Sequence, residues 1–326
     1  MGIRDLNPFL KETVPEVLEE VDLNTFKGQR VGIDVSIYFY KFLYKNPRFL
    51  EGFFQQIFRL RQNGLHPVYV FDGAPPPEKI KTLNQRKERK EEMKNSLAAL
   101  EKEKESINDD DKLKIINIEI AKMKKKIIYI TKENINELKE MFQLLEIPYV
   151  QAEGEADDLL GKMYKEKKID LVMSDDMDML TSGSYRVIRN FFITSSRVNY
   201  YDLNIILDKL NLTFDQWLDF CVLCGCDYCD RIPNLGPKNA IKLIQTHGNV
   251  LNMIVNVGES YKIPEDYIDK YTNAIDLMKR ECSQNLNIPK FRHPGFHQID
   301  KVISILQTKT HLTLNQIEKR ISVIYS

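Results

Sequence analysis

Two short apolar runs, RVGIDV at 30–35 and VYVFD at 68–72, each carry an aspartate at or next to their end, and the chain between them has helical spacing. GFFQQIFRLRQNG (52–64) repeats apolar residues every three or four positions and stops at a glycine, which predicts a helix. Strand, helix and strand in that order form a βαβ unit, so the two strands lie parallel in one sheet. The pattern returns downstream. A helix is predicted at 134–147, then a short strand and a second helix in PYVQAEGEADDLLGKMYKEKK. IDLVMSDDMDML (169–180) is an apolar strand running into acids, and YRVIRNFF (185–192) is a further strand. The front half is therefore α/β, with acids just beyond several strand ends. Open parallel sheets bind ligands at that edge.

Residues 76–132 break the rhythm. After its prolines, PPPEKIKTLNQRKERKEEMKNSLAALEKEKE is almost wholly charged and straight-chained, a strong helix composition with no continuous apolar face. INDDD (107–111) interrupts it, and KLKIINIEIAKMKKKI resumes the helix. Two readings are open: a solvated helical hairpin, or a basic arm that encloses a polyanion. From about 203 the chain becomes mostly helical. TFDQWLDFCVLCG is closed by glycine, and DYCDRIPNLGPKNAIKLIQTHG places a tight Gly/Pro turn before a second helix. Such a helix–hairpin–helix turns backbone N–H groups and a helix N-terminus outward, a cradle for phosphate. Within LGPK, Gly236 permits a strained backbone, Pro237 suits a first helical turn, and Lys238 adds charge. Residues 285–326 read as helical and polar.

Lys plus Arg number 47 and Asp plus Glu 47 in 326 residues, which excludes a uniformly basic nucleic-acid coat but not a local basic surface. No run approaches the roughly 18 apolar residues of a membrane span. The start, MGIRDLNPFLKETVPEVL, has no secretory pattern. Four of the five cysteines crowd into 221–229, which is not a disulfide framework. An intracellular location is expected. Cys221, Cys224, Cys226 and Cys229 have a spacing that admits zinc or iron–sulfur, but the first two fall on a helix that needs an apolar face. Buried free thiols are the expectation.

The acids carry the chemistry. Asp34 and Asp72 end successive strands; Glu153 and Glu155 lie two residues apart, as do Asp176 and Asp178; Asp227 sits at the mouth of the hairpin. Seven carboxylates on one edge repel one another, and each loses water at a cost. Divalent cations among them resolve that conflict. Oxygen ligands without His or Cys favour Mg²⁺ or Mn²⁺ over zinc. Two such ions about 4 Å apart suit phosphodiester hydrolysis. Asp110, Asp111 and Asp230 read instead as solvated loop or capping acids.

The order and spacing of MGIRDL, VGIDVSIYFYKFL, PVYVFDGAPPPEK, YVQAEGEADDLL, VMSDDMDMLTSG and LCGCDYCDRIPNLGPKNAIKLI identify a resemblance over about residues 1–280. The chain resembles flap endonucleases of the XPG/FEN family of structure-specific 5′ nucleases. The resemblance implies a PIN-like 5′ nuclease fold: a mostly parallel sheet, a helical arch, and a C-terminal helical region containing a helix–hairpin–helix. It divides the chain into an N-terminal nuclease region with the first part of the arch (1–105), the rest of the arch (106–132), an internal nuclease region (133–220), a helix–hairpin–helix region (221–284) and a C-terminal helical segment (285–326). It implies one metal pocket lined by Asp34, Asp72, Glu153 and Glu155, and a second completed by Asp176, Asp178 and Asp227. Lys79 and Arg86 stand where the arch supplies a lysine and an arginine to the scissile phosphate; seven residues apart, they share a helix face. Tyr40 matches a base-stacking tyrosine, and Gly2, exposed after loss of Met1, matches a terminus packed near the active site. Arg231, Asn234, Gly236, Lys238 and Lys242 are the hairpin's candidates for holding duplex by its backbone.

The implied activity is a Mg²⁺-dependent 5′-flap endonuclease with 5′→3′ exonuclease activity, in which Mn²⁺ substitutes, Asp176 is essential, and the products are a 5′-phosphate and a 3′-hydroxyl. Sister specificities (5′ exonuclease, bubble nuclease, Holliday-junction resolvase) share the residues and stay open. A nuclease-dead scaffold for branched DNA is the rival of another class, opposed by the complete set of acids and arch cations. The implied partner is branched or 5′-flap DNA bound by a monomer without a membrane. Location would be the nucleus for a eukaryotic cellular protein, or a host nucleus or cytoplasmic replication site for a viral one. QIEKRISVIYS does not match the sliding-clamp peptide of many relatives, so clamp binding is not expected. Only 38 positions separate Asp34 from Asp72, and YKNPRFLEGFF is shortened where the family builds a pocket for a single 3′ nucleotide. Weak dependence on a one-nucleotide 3′ flap is therefore expected. The family's hairpin commonly binds potassium; Arg231 either replaces that ion's charge or points away and leaves backbone carbonyls to the ion. Asn234 takes a place often held by glycine, which its tolerance of left-handed backbone allows.

Overall fold

The computed structural model describes residues 2–45, 48–105 and 109–326. In chain order the first half contains α1 (Leu6–Thr13), β1 (Leu18–Asp22), β2 (Arg30–Asp34), α2 (Val35–Lys45), α3 (Phe49–Gln62), β3 (His66–Phe71), α4 (Pro77–Lys104), α5 (Asp110–Lys126) and α6 (Lys132–Leu144). Then follow β4 (Tyr149–Gln151), α7 (Ala156–Lys165), β5 (Leu171–Met173), β6 (Arg186–Arg189) and β7 (Arg197–Asp202). The remainder is helical: α8 (Leu203–Leu210), α9 (Phe214–Cys224), α10 (Pro237–His247), α11 (Val250–Asn256), α12 (Tyr267–Lys279), α13 (Phe296–Lys309) and α14 (Leu314–Ile324).

The strands form one sheet in the order β1-β7-β6-β5-β2-β3-β4. Five are parallel, β6 through β4, while β7 and β1 add antiparallel at one edge. The alternation of side chains along β2, β3 and β5 builds two cores. Val68, Val70 and Val172 face one, with α1 and α7 to α12; Val31, Ile33, Tyr69, Phe71, Leu171 and Met173 face the other, with α2, α3, α6, α13 and α14. Gly32 in β2 is a close-approach position: a Cβ there would lie 2.6 Å from Leu160 of α7.

The strands β1 and β7 are additions to the sequence reading. LEEVD carries too few apolar residues to read as a strand, yet its whole length pairs with β7. A second difference concerns the expected helix from 285. Residues 280–295 have no regular structure, and helix resumes only at Phe296. Pro289 and Pro294 explain this, since each lacks the N–H that a helix needs. The two last helices then bury Val302, Leu306, Ile317, Ile321 and Ile324 in the core behind α3 and α6.

The charged segment is a pair of helices, α4 and α5, tied by Lys124 Nζ to Glu101 Oε1 at 2.7 Å. The 28 residues of α4 make it about 42 Å long. Asp109 caps α5 by accepting from the backbone of Asp111 at 2.9 Å and of Lys112 at 3.2 Å. Residues 106–108 of the interrupting segment, and residues 46–47 of the shortened one, lie outside the described residues. Among the described residues no helix is long and apolar enough to cross a membrane.

Candidate active site

Four parallel strands deliver acids to one edge of the sheet. Asp34 closes β2; it is 7% exposed and accepts from Ser36 N at 2.9 Å and from Ser174 Oγ at 3.3 Å. Asp72 follows β3, accepting from the Ser36 hydroxyl and, at 2.9 Å, from Ala156 N at the start of α7. Glu153 and Glu155 occupy the turn between β4 and α7; Glu155 is the residue before the first turn of α7, and Glu153 stays exposed. Asp176 and Asp178 follow β5, and Asp178 N donates to Asp176 Oδ1 at 3.2 Å. Backbone bonds lock these loops together: Gly73 N reaches Gly154 O at 2.7 Å and Ala74 N reaches Glu153 O at 3.0 Å.

Gly2 is pressed against the same group. A Cβ built on it would lie 2.1 Å from Asp176 Oδ1 and 3.0 Å from Asp178 Oδ1, and its φ of +97° is one that side chains rarely adopt. Glycine is therefore required there twice over, by space and by backbone.

The first turns of α4 lean over this edge. Lys79 forms an ion pair with Glu155, and Arg86 Nη2 lies 2.8 Å from both oxygens of Asp227. Thr82 Oγ1 also donates to the Asp227 carbonyl at 3.3 Å. Lys79 and Arg86 thus project from one helix face onto two different loops. Tyr40, on α2, is 41% exposed, and both Arg86 and Asp72 act on its hydroxyl electrostatically.

The electrostatics are those of crowded carboxylates. Burial, then Asp72, pushes the Asp34 carboxyl up to about 7. Burial and the neighbouring Asp176 and Asp227 raise Asp178 well above the ordinary range, and its Oδ1 is buried without a hydrogen-bond partner. Asp157 is raised the same way, by burial and then by Asp34, Asp176, Asp72 and Asp178. A donor set made only of oxygens, with an orphaned buried carboxylate oxygen among them, fits hard divalent cations. Among the described residues no three of these side chains are gathered into a ready ion-holding group. Lys79 and Arg86 lie on Glu155 and Asp227 instead and supply the compensating charge.

Several participants escaped the sequence reading. Asp157 stands in the first turn of α7, where an acid ordinarily just complements the helix dipole, so EADDLL gave no reason to single it out. Tyr228 donates its hydroxyl to Glu155 Oε2 at 2.9 Å, and Lys41 pairs with Asp175 at 2.7 Å. Only proximity in the fold reveals these.

The hairpin lies between α9 and α10. Asn234 has φ +65°, the left-handed backbone anticipated for it. Gly236 caps α10, whose first helical residue is Pro237. Lys238 is exposed and paired with Glu12 of α1, and Lys242 is exposed one turn further along. Arg231 turns inward: its Nε donates to the Cys224 carbonyl at 3.2 Å and its Nη2 to Asp5 Oδ2 at 2.6 Å. The four neighbouring cysteines are buried free thiols; burial pushes Cys226 up to about 11 and Cys229 to about 12, holding them neutral.

Family models match two parts of the chain: the XPG N-terminal domain over residues 1–93 and the XPG I-region over residues 146–227. Flap endonuclease 1-A of Sorghum bicolor is 33% identical over 311 residues, covering 90% of this chain and 78% of the relative. Among solved structures, the catalytic core of Rad2 in complex with DNA substrate superposes with a TM-score of 0.73 at 22% identity, over 99% of this chain and all of that one. The Holliday junction-resolving enzyme GEN1, solved with product DNA and a Mg²⁺ ion, gives a TM-score of 0.62 at 16% identity, over 97% of this chain and 77% of that one.

Proposed function

The chain belongs to the XPG/FEN family of structure-specific nucleases, and on that premise we propose how its own residues carry the reaction. It is a structure-specific 5′ nuclease acting on flap or branched DNA. The observation that carries the finer reading is the convergence of acids from four strand ends beneath two arch cations. The preferred substrate is a 5′ flap, cut near its junction with duplex, and 5′→3′ exonuclease activity accompanies the cut.

Asp34, Asp72, Glu153 and Glu155 would hold one Mg²⁺, and Asp176, Asp178 and Asp227 would complete a second site; Mn²⁺ would serve as well. Bound there, the ions would activate a water and neutralise charge on the scissile phosphate. Water adds to phosphorus, the bond to the 3′ oxygen breaks, and a 5′-phosphate and 3′-hydroxyl result. Lys79 and Arg86 leave Glu155 and Asp227 for the phosphate oxygens; Lys79 acts as a point charge, and the planar fork of Arg86 suits the charge of the transition state. Tyr40 stacks the base beside the cut. Gly2 lets the chain's start pack on Asp176 and Asp178 without obstructing the phosphate. At the hairpin, Gly236, Lys238 and Lys242 present N–H groups and charge to the duplex backbone, which reads shape rather than sequence. Arg231 occupies its pocket with a fixed charge in place of potassium.

The test is a cleavage panel on end-labelled 5′ flap with and without a one-nucleotide 3′ flap, nick, gap, bubble, four-way junction and single strand with Mg²⁺. Strongest cutting at the flap junction, with little gain from a one-nucleotide 3′ flap, is expected. A preference for bubbles or four-way junctions would move the chain to a sister specificity. Asp176→Ala should abolish cutting while sparing DNA binding; unchanged cleavage would overturn the assignment.

A further inference from the structure

The exposed face of Tyr40 does not look into open solvent. Lys90, one turn beyond Arg86 on α4, places its ammonium 5.1 Å from the Tyr40 ring centre and 5.2 Å from that of Tyr129. Tyr129 comes from the connection between α5 and α6. It is 43% exposed, and its hydroxyl donates to Glu91 Oε1 at 3.2 Å, fixing the ring to α4. Lys90 Nζ is itself steadied by the Ile128 carbonyl at 3.0 Å. Two half-exposed aromatic rings, one from α2 and one from the α5–α6 connection, therefore share one cation at the foot of the arch.

An ammonium that packs on two rings marks a place where a flat π-system can meet both. We propose that Tyr40 and Tyr129 form a two-walled clamp for the unpaired nucleobase of the displaced 5′ strand nearest the junction. Lys90 holds the slot in the free protein and yields it to the base, then meets the adjoining phosphate. The clamp is indifferent to sequence, because every base presents a π-face. Tyr129 is a positioning residue: it touches the base, not the reacting atoms. The inference rests on the flap-nuclease reading for its ligand, but it concerns a separate set of side chains.

The test uses flaps carrying 2-aminopurine as the first unpaired base, bound in EDTA so that no cutting intervenes, and the same flaps cut in Mg²⁺. Wild-type protein should quench the fluorophore on binding. Tyr129→Ala should lose that quench and about tenfold in kcat/KM, while Tyr129→Phe, which keeps the ring but not its bond to Glu91, retains most of both. On a flap with an abasic site at that position, wild type and Tyr129→Ala should become equal. Two results would overturn the clamp: quench and rate unchanged in Tyr129→Ala, or an equal loss on intact and abasic flaps, which would mark Tyr129 as support for the arch. A protein that quenches through Tyr129 yet cuts no branched substrate would uphold the clamp and overturn the nuclease reading, so the two fail separately.

Discussion

Arg86 Nη2 stands 2.8 Å from each oxygen of Asp227, so one guanidinium nitrogen bridges the whole carboxylate. On the proposed two-metal reading, the arginine and a divalent ion compete for the same charge. Arg86→Ala should therefore tighten Mn²⁺ binding while lowering the cleavage rate about 10²- to 10³-fold, the usual cost of losing a transition-state donor. Titration calorimetry and single-turnover kinetics read the two effects, which have opposite signs.

The crowding of acids has a pH signature. Asp34 is pushed up to about 7 by burial and by Asp72, against about 3.9 for an unperturbed aspartate. The folded chain therefore holds that proton more tightly than the unfolded one. Its contribution to stability is full below about pH 4 and is lost as pH rises to about 7. In EDTA the melting temperature should fall between pH 5 and pH 8, and Mg²⁺ should restore it most at pH 8. Differential scanning fluorimetry across that range is the measurement.

Asp157 feels four other acids in its surroundings. Asp157→Asn replaces a carboxyl whose charge burial and these neighbours oppose, so the metal-free protein should melt higher at neutral pH. The same change should weaken Mg²⁺ binding, since less negative charge remains to attract it. A lower melting temperature in EDTA would show that Asp157 is held by something other than its acidic neighbours.

Arg231 gives its Nε to the Cys224 carbonyl and its Nη2 to Asp5. With a permanent cation already on that carbonyl, DNA affinity should be the same in sodium and potassium chloride at equal ionic strength. Arg231→Ser should weaken binding and introduce a preference for potassium. Fluorescence anisotropy with labelled duplex distinguishes these outcomes.

What could be read from the chain followed local rules. Asp34 and Asp72 were legible because each closes an apolar run, and Asn234 because a left-handed turn needs a residue that tolerates one. Asp157 was not, because one acid in a first helical turn looks like any other until the fold sets it beside Asp34 and Asp176. Strand β1 was illegible for a related reason: its pairing partner lies more than 170 residues away, with Glu20 opposite Asn199. The irregular stretch before α13 could have been read from Pro289 and Pro294, whose breaking power outweighs the polar, helix-compatible residues around them.

The anchoring of α4 is one-sided. Lys79, Thr82, Arg86 and Lys90 all bind within its first half, Tyr129 bonds to Glu91 just beyond them, and further along Glu101 pairs with Lys124 of α5. Mechanically it is a lever with its fulcrum at the acids. A tilt of about 10° at the foot carries the far end of a 42 Å helix through roughly 7 Å. On the proposed reading, a charge that enters the carboxylates draws Lys79 and Arg86 from Glu155 and Asp227, so the same contacts that serve the chemistry also set the tilt of α4.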